Sequence, residues 1–447
     1  MNFDQVKNIL VSEADRRGLS EYEVYFMETG SMGAETLKDE ISSFSSGVRG
    51  GVSFRCIVGG RLGAAATELM EEHEMRELVD RAVQYAAVIE SDDPVIFYDG
   101  AESYATKSVL NAETPDAATL KSVALELQRK TYGASDLIAD GTQSGTFAGT
   151  VRRALVNSHG LNLSDEYSAS GAYVQAVVEK DGESQDAFDC CLGLDPCDLE
   201  QLSVNASKDA IAKIGAEEID SGKYDVIIQG KQMRDLLSTF SSVFSAKSAH
   251  LGLSLLKGKE GSAIASDAVT LIDDPMRKDF SAQATFDGEG VATQKKSVIE
   301  QGVLTTLLYD LSTAKKAGKM STGNGQRKSY ASPVSISPYS FYFAGGELSE
   351  DELKIRLDHG IYLTELKGLH AGANDVTGDF SIESAGFLVE DGKISKAIKS
   401  FTVAGNFFDL LKNIEALSDT VRFDASTGFT SYGSPDVLVR NMSVAGK

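Results

Sequence analysis

Cysteine is scarce. The four thiols in 447 residues, Cys56, Cys190, Cys191 and Cys197, are too few for a disulfide framework and are expected to be reduced and mostly buried. Long apolar runs are missing as well. No stretch approaches the roughly 18 residues of a membrane span, and the longest, around Val226-Ile227-Ile228, are only strand-sized. The first residues, Met1-Asn2-Phe3-Asp4-Gln5, show no basic segment leading into an apolar one, so a secretory signal is not expected and a cytoplasmic protein is. Basic charge is in deficit too: 43 lysines and arginines face 66 aspartates and glutamates, for a net charge of −23. So acidic a surface repels nucleic-acid phosphates and anionic lipid alike, which argues against direct contact with either.

What remains is the composition of a folded, soluble chain, 42% hydrophobic and 24% charged, long enough for two or three domains. Phe3, Val6, Ile9, Leu10 and Ala14 recur at helical spacing, with Gly18 as a stop. Strand-like alternation follows through Tyr22 to Phe26, Glu35 to Leu37, Ile41 to Phe44 and Val52 to Val58, with glycine pairs between them read as hairpin turns. A long helix is expected from about Glu68 to Ile89. The order then recurs: a helix through Leu120, Val123, Leu125 and Leu127, then strands from Thr146 to Asn157 and Ala172 to Glu179. This points to a duplicated helix-plus-antiparallel-strand unit over residues 1–220, closed by a helix from about Asp195 to Ala216.

From 221 to 447 the texture changes to strands with glycine turns. Strands are expected over Tyr224 to Gln229, Val291 to Glu300, Val303 to Tyr309, Tyr339 to Ala344, Ile361 to Leu366, Phe380 to Val389 and Val437 to Val444. Helices are expected only over Met233 to Phe244, Ser349 to Leu357 and Phe407 to Leu417. The fold class is therefore α+β, an N-terminal α+β domain followed by a mostly antiparallel β-rich one with helices at its margins.

Complete catalytic constellations are hard to find. His73-Glu74-Met75-Arg76-Glu77 offers one imidazole on a charged helix face, where a helical zinc site needs two. His159, His250, His359 and His370 stand singly. Cys190, Cys191 and Cys197 cluster without a fourth ligand nearby and read as buried thiols. No Gly-x-Ser-x-Gly elbow occurs. The glycine-rich Gly323-Asn324-Gly325-Gln326-Arg327-Lys328-Ser329-Tyr330 lacks the spacing of a Walker loop or a dinucleotide fingerprint.

The second half nonetheless carries a recognisable series. Residues 269–275 (VTLIDDP), 286–293 (FDGEGVAT), 299–303 (IEQGV) and 322–330 (TGNGQRKSY), then 360–365 (GIYLTE), 378–381 (GDFS), 386–394 (GFLVEDGKI) and Gly405-Asn406 stand in the order of the TldD/PmbA family, known as modulators of DNA gyrase, which the chain resembles. The first half is similar in layout and in residues 46–52 (SGVRGGV). The resemblance implies a two-domain subunit of a dimeric, cytoplasmic peptidase assembly acting on unfolded or small peptides.

In the family's catalytic members a helix before the Asp-Asp segment carries His-Glu-x-x-x-His, and a cysteine near the C-terminus completes a zinc site. Here the corresponding helix, Leu237 to Val243, holds neither His nor Glu, and residues 425–435 hold no cysteine. The resemblance thus implies the PmbA (TldE) branch: no catalytic residue, no metal ligand and no cofactor in this chain, with zinc expected only in a TldD-like partner. The alternative is a metal-free peptide-binding or scaffolding homodimer. The residues nominated for peptide contact are Gly323, Asn324, Gly325, Arg327, Ser329 and Tyr330, the alternative being that they only shape a turn.

Overall fold

The computed structural model describes residues 1–91, 93–108 and 114–447. Its first part runs α1 (Phe3–Arg16), β1 (Tyr22–Leu37), β2 (Glu40–Val58), β3 (Arg61–Thr67) and α2 (Glu72–Val88). The same succession then repeats as α3 (Ala117–Ala134), β4 (Gln143–Asn157), β5 (Asn162–Lys180), β6 (Glu183–Leu192) and α4 (Leu199–Ala212). The repeat read from the sequence order is therefore visible as two helix–three-strand–helix units. Their six strands form one antiparallel sheet, β3-β2-β1-β4-β5-β6, in which β1 of the first unit pairs β4 of the second. Val6 and Leu10 of α1 and Met75, Leu78 and Val79 of α2 pack on Val24, Val52 and Phe54 of the sheet.

Several expected boundaries shift for a physical reason. The fragments 41–44 and 52–58 are one strand, β2. Its glycines at 50 and 51 are not a turn: a Cβ on Gly51 would lie 2.6 Å from the Thr67 carbonyl and 2.5 Å from the Tyr330 ring. The β1–β2 turn is made instead by Lys38 and Asp39, both at positive φ (53° and 60°), a geometry more often announced by glycine. Glu68 to Glu71 precede α2 rather than open it. Likewise α4 begins only after Asp198, whose side chain caps it by accepting from the Gln201 amide at 3.0 Å.

The cysteine expectation is corrected outright. Cys191 and Cys197 form a disulfide, their Cα atoms 5.9 Å apart, within bridging range. The turn at Gly193 (φ +77°) and Pro196 folds the chain from the end of β6 back to the start of α4 and brings the two together. Cys56 and Cys190 remain free thiols, and burial pushes both up.

The second part begins with β7 (Gly222–Ile228), α5 (Gly230–Phe240), a 3-10 turn (Ser241–Phe244), α6 (Ala246–His250), β8 (Leu271–Asp273), β9 (Lys296–Glu300) and β10 (Val303–Leu304). It continues with α7 (Leu311–Ala317), β11 (Gly325–Gln326), β12 (Ser335–Ile336), β13 (Ser340–Phe343), α8 (Glu350–Leu357), β14 (Gly360–Lys367) and α9 (Leu369–Gly372). It ends with β15 (Asp379–Glu390), β16 (Lys393–Asn406), α10 (Phe407–Lys412), β17 (Ile414–Leu417), β18 (Arg422–Phe423), β19 (Ser431–Ser434) and β20 (Val437–Ala445).

One sheet runs β16-β15-β14-β7-β20-β17 and partly closes on itself through β16–β20. Another runs β10-β9-β8-β13-β19-β18. A single apolar core lies between them, with Phe240 of α5 stacked on Phe407 at 4.7 Å. Antiparallel pairs dominate and strand outweighs helix, 39% to 24%, so the α+β class holds. The helix expected from Phe407 to Leu417 stops at Lys412, because Ile414, Ala416 and Leu417 pair with β20 as a strand. The strands expected over 291–300 and 303–309 shrink to β9 and β10, and β16 and α7 were not anticipated.

Candidate functional site

The glycine–asparagine loop lies where the two parts of the chain meet. Gly323 adopts φ +70°, and a Cβ there would approach the Ala292 carbonyl to 2.9 Å. Asn324 is fully buried. Its Nδ2 donates to Asp273 Oδ2 at 2.8 Å and to the Ser337 carbonyl at 3.0 Å, and its Oδ1 accepts from Thr322 Oγ1 at 2.7 Å and Lys296 Nζ at 3.2 Å. Lys296 also pairs with the buried Asp273 at 2.9 Å. The Gly325 amide donates to Asp287 Oδ2 at 2.9 Å, and a Cβ at 325 would lie 2.6 Å from Glu289 Oε2. Three nominated residues, Gly323, Asn324 and Gly325, thus form an interior knot tying β8, β9 and β11.

Arg327 leaves this knot and crosses to the N-terminal sheet. Its guanidinium pairs with Glu23 and lies 4.3 Å from the centre of the Tyr25 ring. Glu23 also accepts from Arg55 Nε and Nη2 at 2.8 and 2.9 Å. One buried carboxylate therefore holds two guanidinium groups. Burial alone would raise the Glu23 carboxyl, but the charges of Arg327 and Arg55 outweigh it and hold it low. The opposite happens close by. Burial raises both Asp287 and Glu289, and Glu289 is raised further by the charges of Asp287 and Asp310.

Arg327 also separates two cavities. One, about 620 Å³, is lined by Arg55, Glu289, Asp310, Lys247 and Tyr330 among others. The other, about 630 Å³, runs between β1 and β4 of the first sheet and residues 326–337 and 425–430. Arg327 is the one residue lining both. Tyr330 donates to Glu68 Oε1 at 2.6 Å, which pushes its own hydroxyl up to about 12. Ser329 pairs with Ser332 at 2.8 Å in the loop that follows. Of the nominated residues, then, Arg327 and Tyr330 face cavities.

The segments that the family resemblance assigns to a zinc site do meet. The Ser241 and Tyr432 hydroxyls are 3.0 Å apart, and Arg234 Nη1 donates to the Phe423 carbonyl at 3.2 Å. A Cβ on Gly230 would lie 2.5 Å from the Ser434 carbonyl, so α5 sits directly against β19. What meets at that contact is two hydroxyls; the carboxylates beside it, Asp375 on Ser242 at 3.1 Å and Asp424 on Ser431 at 2.6 Å, belong to no cluster of three ligand groups among the described residues, so the donor set does not fit zinc. Among the described residues, the one group of three His, Cys, Asp or Glu with ligand atoms within 4.8 Å of one another is the exposed Asp358, His359 and Asp391. That trio belongs to the turns before β14 and after β15, and exposed acids cluster so without an ion.

Lys328 lies inside the 323–330 stretch but outside the nominated residues. Glu289 also lies outside them, and Asp287-Gly-Glu-Gly290 carries a readable signal: two acids among glycines, which require close backbone approach. Gly149, Thr427, Glu23 and Arg55 come from distant segments whose convergence depends on the fold. Among the described residues no helix is long and apolar enough to cross a membrane.

Profiles of the PmbA/TldA metallopeptidase family match the chain in three consecutive stretches: domain 1 over 22–86, the central domain over 111–217 and the C-terminal domain over 221–446. A metalloprotease of Methanothermobacter thermautotrophicus is 27% identical over 467 aligned positions, covering 99% of each chain. The metalloprotease PmbA of Escherichia coli O157:H7 is 24% identical, covering 95% of this chain and 92% of its own. Among solved structures, a candidate modulator of a DNA gyrase from Thermotoga maritima superposes with a TM-score of 0.89 at 26% identity, over 99% of this chain and 100% of that one. TldE from Thermococcus kodakarensis also gives 0.89, at 23% identity over 98% and 99%, a likeness of fold.

Proposed function

Because the chain belongs to the PmbA/TldD metallopeptidase family, we propose that it is a PmbA/TldE-like subunit that completes a cytoplasmic metallopeptidase without holding the zinc itself. Its partner on this reading is a TldD-like chain that carries the ion, and the substrate is an unfolded or small peptide. The observation behind it is the Ser241–Tyr432 pair, two hydroxyls at the meeting point of α5 and β19. Neutral hydroxyls bind divalent transition ions poorly beside imidazole and thiolate, so nothing there equips this chain to activate water at neutral pH.

The test is reconstitution. Mixing the purified chain with a TldD-like partner is expected to yield a complex on size exclusion and peptide cleavage that neither chain shows alone. Full activity of the partner by itself, with no complex, contradicts the reading.

A second reading, a metal-free peptide-binding or scaffolding homodimer, has one feature in its favour. β3 pairs β2 only over Val52–Val58, and residues 40–49 are largely exposed, Val48 at 70%. An open strand edge of this kind accepts another strand by main-chain hydrogen bonds. A stable homodimer that gives no gain in cleavage on mixing would favour it.

A further inference from the structure

The 630 Å³ cavity between the first sheet and the C-terminal part is unusual in its charge. The chain carries a net −23, yet among the described residues no aspartate or glutamate lines this space, and the charged lining residues are Arg327 and Lys328. Lys328 is exposed and forms no ion pair with a described residue. Arg327 is nearly buried, and its Nε has no hydrogen-bond partner. A third cation stands behind the wall: Arg153, itself buried, lies 4.2 Å from the centre of the Phe429 ring, and Phe429 lines the cavity. Asp165 pairs with Arg153 at 3.1 Å and Glu23 with Arg327, so both arginine charges are answered internally, whereas the Lys328 charge is not.

The floor is formed by β1 and β4, and at Gly149 the opposite wall comes close: a Cβ there would already touch Thr427 at 3.4 Å. Hydroxyl and amide groups of Thr29, Ser31, Gln326, Ser335 and Thr430 line the remainder, alongside Phe147 and Phe429. A volume of this size, mixed apolar and hydrogen-bonding lining and a few placed charges are the usual make-up of a ligand cleft. In an acidic protein, a wall whose one uncompensated charge is positive favours ligands of the opposite sign.

We propose that this groove binds a peptide segment bearing carboxylate side chains, with Lys328 as the cationic contact and the unpartnered Nε of Arg327 as an inner hydrogen-bond donor. The inference rests on the peptide-handling reading above and adds the charge of the peptide. It is tested on the full chain alone by fluorescence anisotropy. The probes are a short Gly/Ser peptide containing glutamates, capped at both ends and labelled with an uncharged fluorophore, and the same peptide with lysines in their place.

The glutamate peptide is expected to bind about tenfold more tightly at low salt, the gap closing as salt is added. Lys328→Glu should weaken the glutamate peptide about tenfold, and Lys328→Gln by less. Equal or tighter binding of the lysine peptide, glutamate-peptide binding unmoved by Lys328→Glu, or no binding of either peptide would each overturn the inference. Reconstituted cleavage is read separately. Cleavage with no preference for charge leaves the subunit reading standing and removes only this one; charge-selective binding with no cleavage on mixing does the reverse.

Discussion

Both ends of the Asn324 amide are occupied inside the protein, by Asp273, Ser337, Thr322 and Lys296. Asn324→Ala removes four hydrogen bonds at once and leaves Asp273 and Lys296 short of partners. A loss of about 1–3 kcal/mol is expected in urea unfolding. Glu289 sits in the reverse situation. Its carboxyl is raised by burial and by Asp287 and Asp310, so the folded chain keeps a proton that the unfolded chain has released. The associated stability is complete below the ordinary carboxyl range and is lost as pH rises towards the raised folded value. Wild-type melting temperature should therefore fall between about pH 5 and 8, and Glu289→Gln should flatten most of that slope, with Asp287 retaining a smaller one of the same sign. A slope of equal size in the variant would contradict this assignment.

At the scale of elements, α2 lies so close to β3 that a Cβ on Gly63 would fall 1.9 Å from the Ala82 carbonyl and 2.9 Å from Ala86 Cβ. Gly63→Val cannot be absorbed by moving a flexible side chain. It should cost at least about 3 kcal/mol and raise amide exchange along α2; unchanged exchange there would show that the contact is looser than this geometry. Elements with a strong internal rhythm were legible from the sequence. Helix α1 shows its apolar face at Val6, Leu10 and Ala14, and the two-unit order of the first part followed from helices and strands alone. Where packing overrides local preference, legibility ended. Gly50 and Gly51 look like a turn but lie in mid-strand, because Tyr330 occupies the place of a side chain. Ile414 to Leu417 continue a helical pattern yet pair with β20. Lys393 to Asn406 did not read as a strand, yet strand β16 pairs with β15 along its length and with β20 at its end. The candidate site was legible only as the 323–330 loop. Its counterparts, Glu23, Arg55, Gly149 and Thr427, come from segments that only tertiary structure brings near it.

Over the whole molecule, the two parts of the chain are joined by polar contacts as well as by an apolar cluster of Tyr25, Met27 and Leu155 with Phe280 and Ala282. Glu23 with Arg55 and Arg327 forms one such tie, and the Arg153 guanidinium, donating to the Phe286 carbonyl, another. Tyr104 and Tyr167 add hydrogen bonds to the Gly290 and Thr427 carbonyls at 2.8 and 3.0 Å. This framework holds the two cavities on either side of Arg327, while within the second part α5 packs against β19 and presents Ser241 to Tyr432. The decisive measurement is metal content, by plasma mass spectrometry on the purified chain alone and on its complex with a TldD-like chain. Well below one zinc per molecule in the isolated chain, with zinc entering the complex only through the partner, is the predicted result. One tightly held zinc per isolated chain, lost when Ser241 or Tyr432 is replaced, would contradict it.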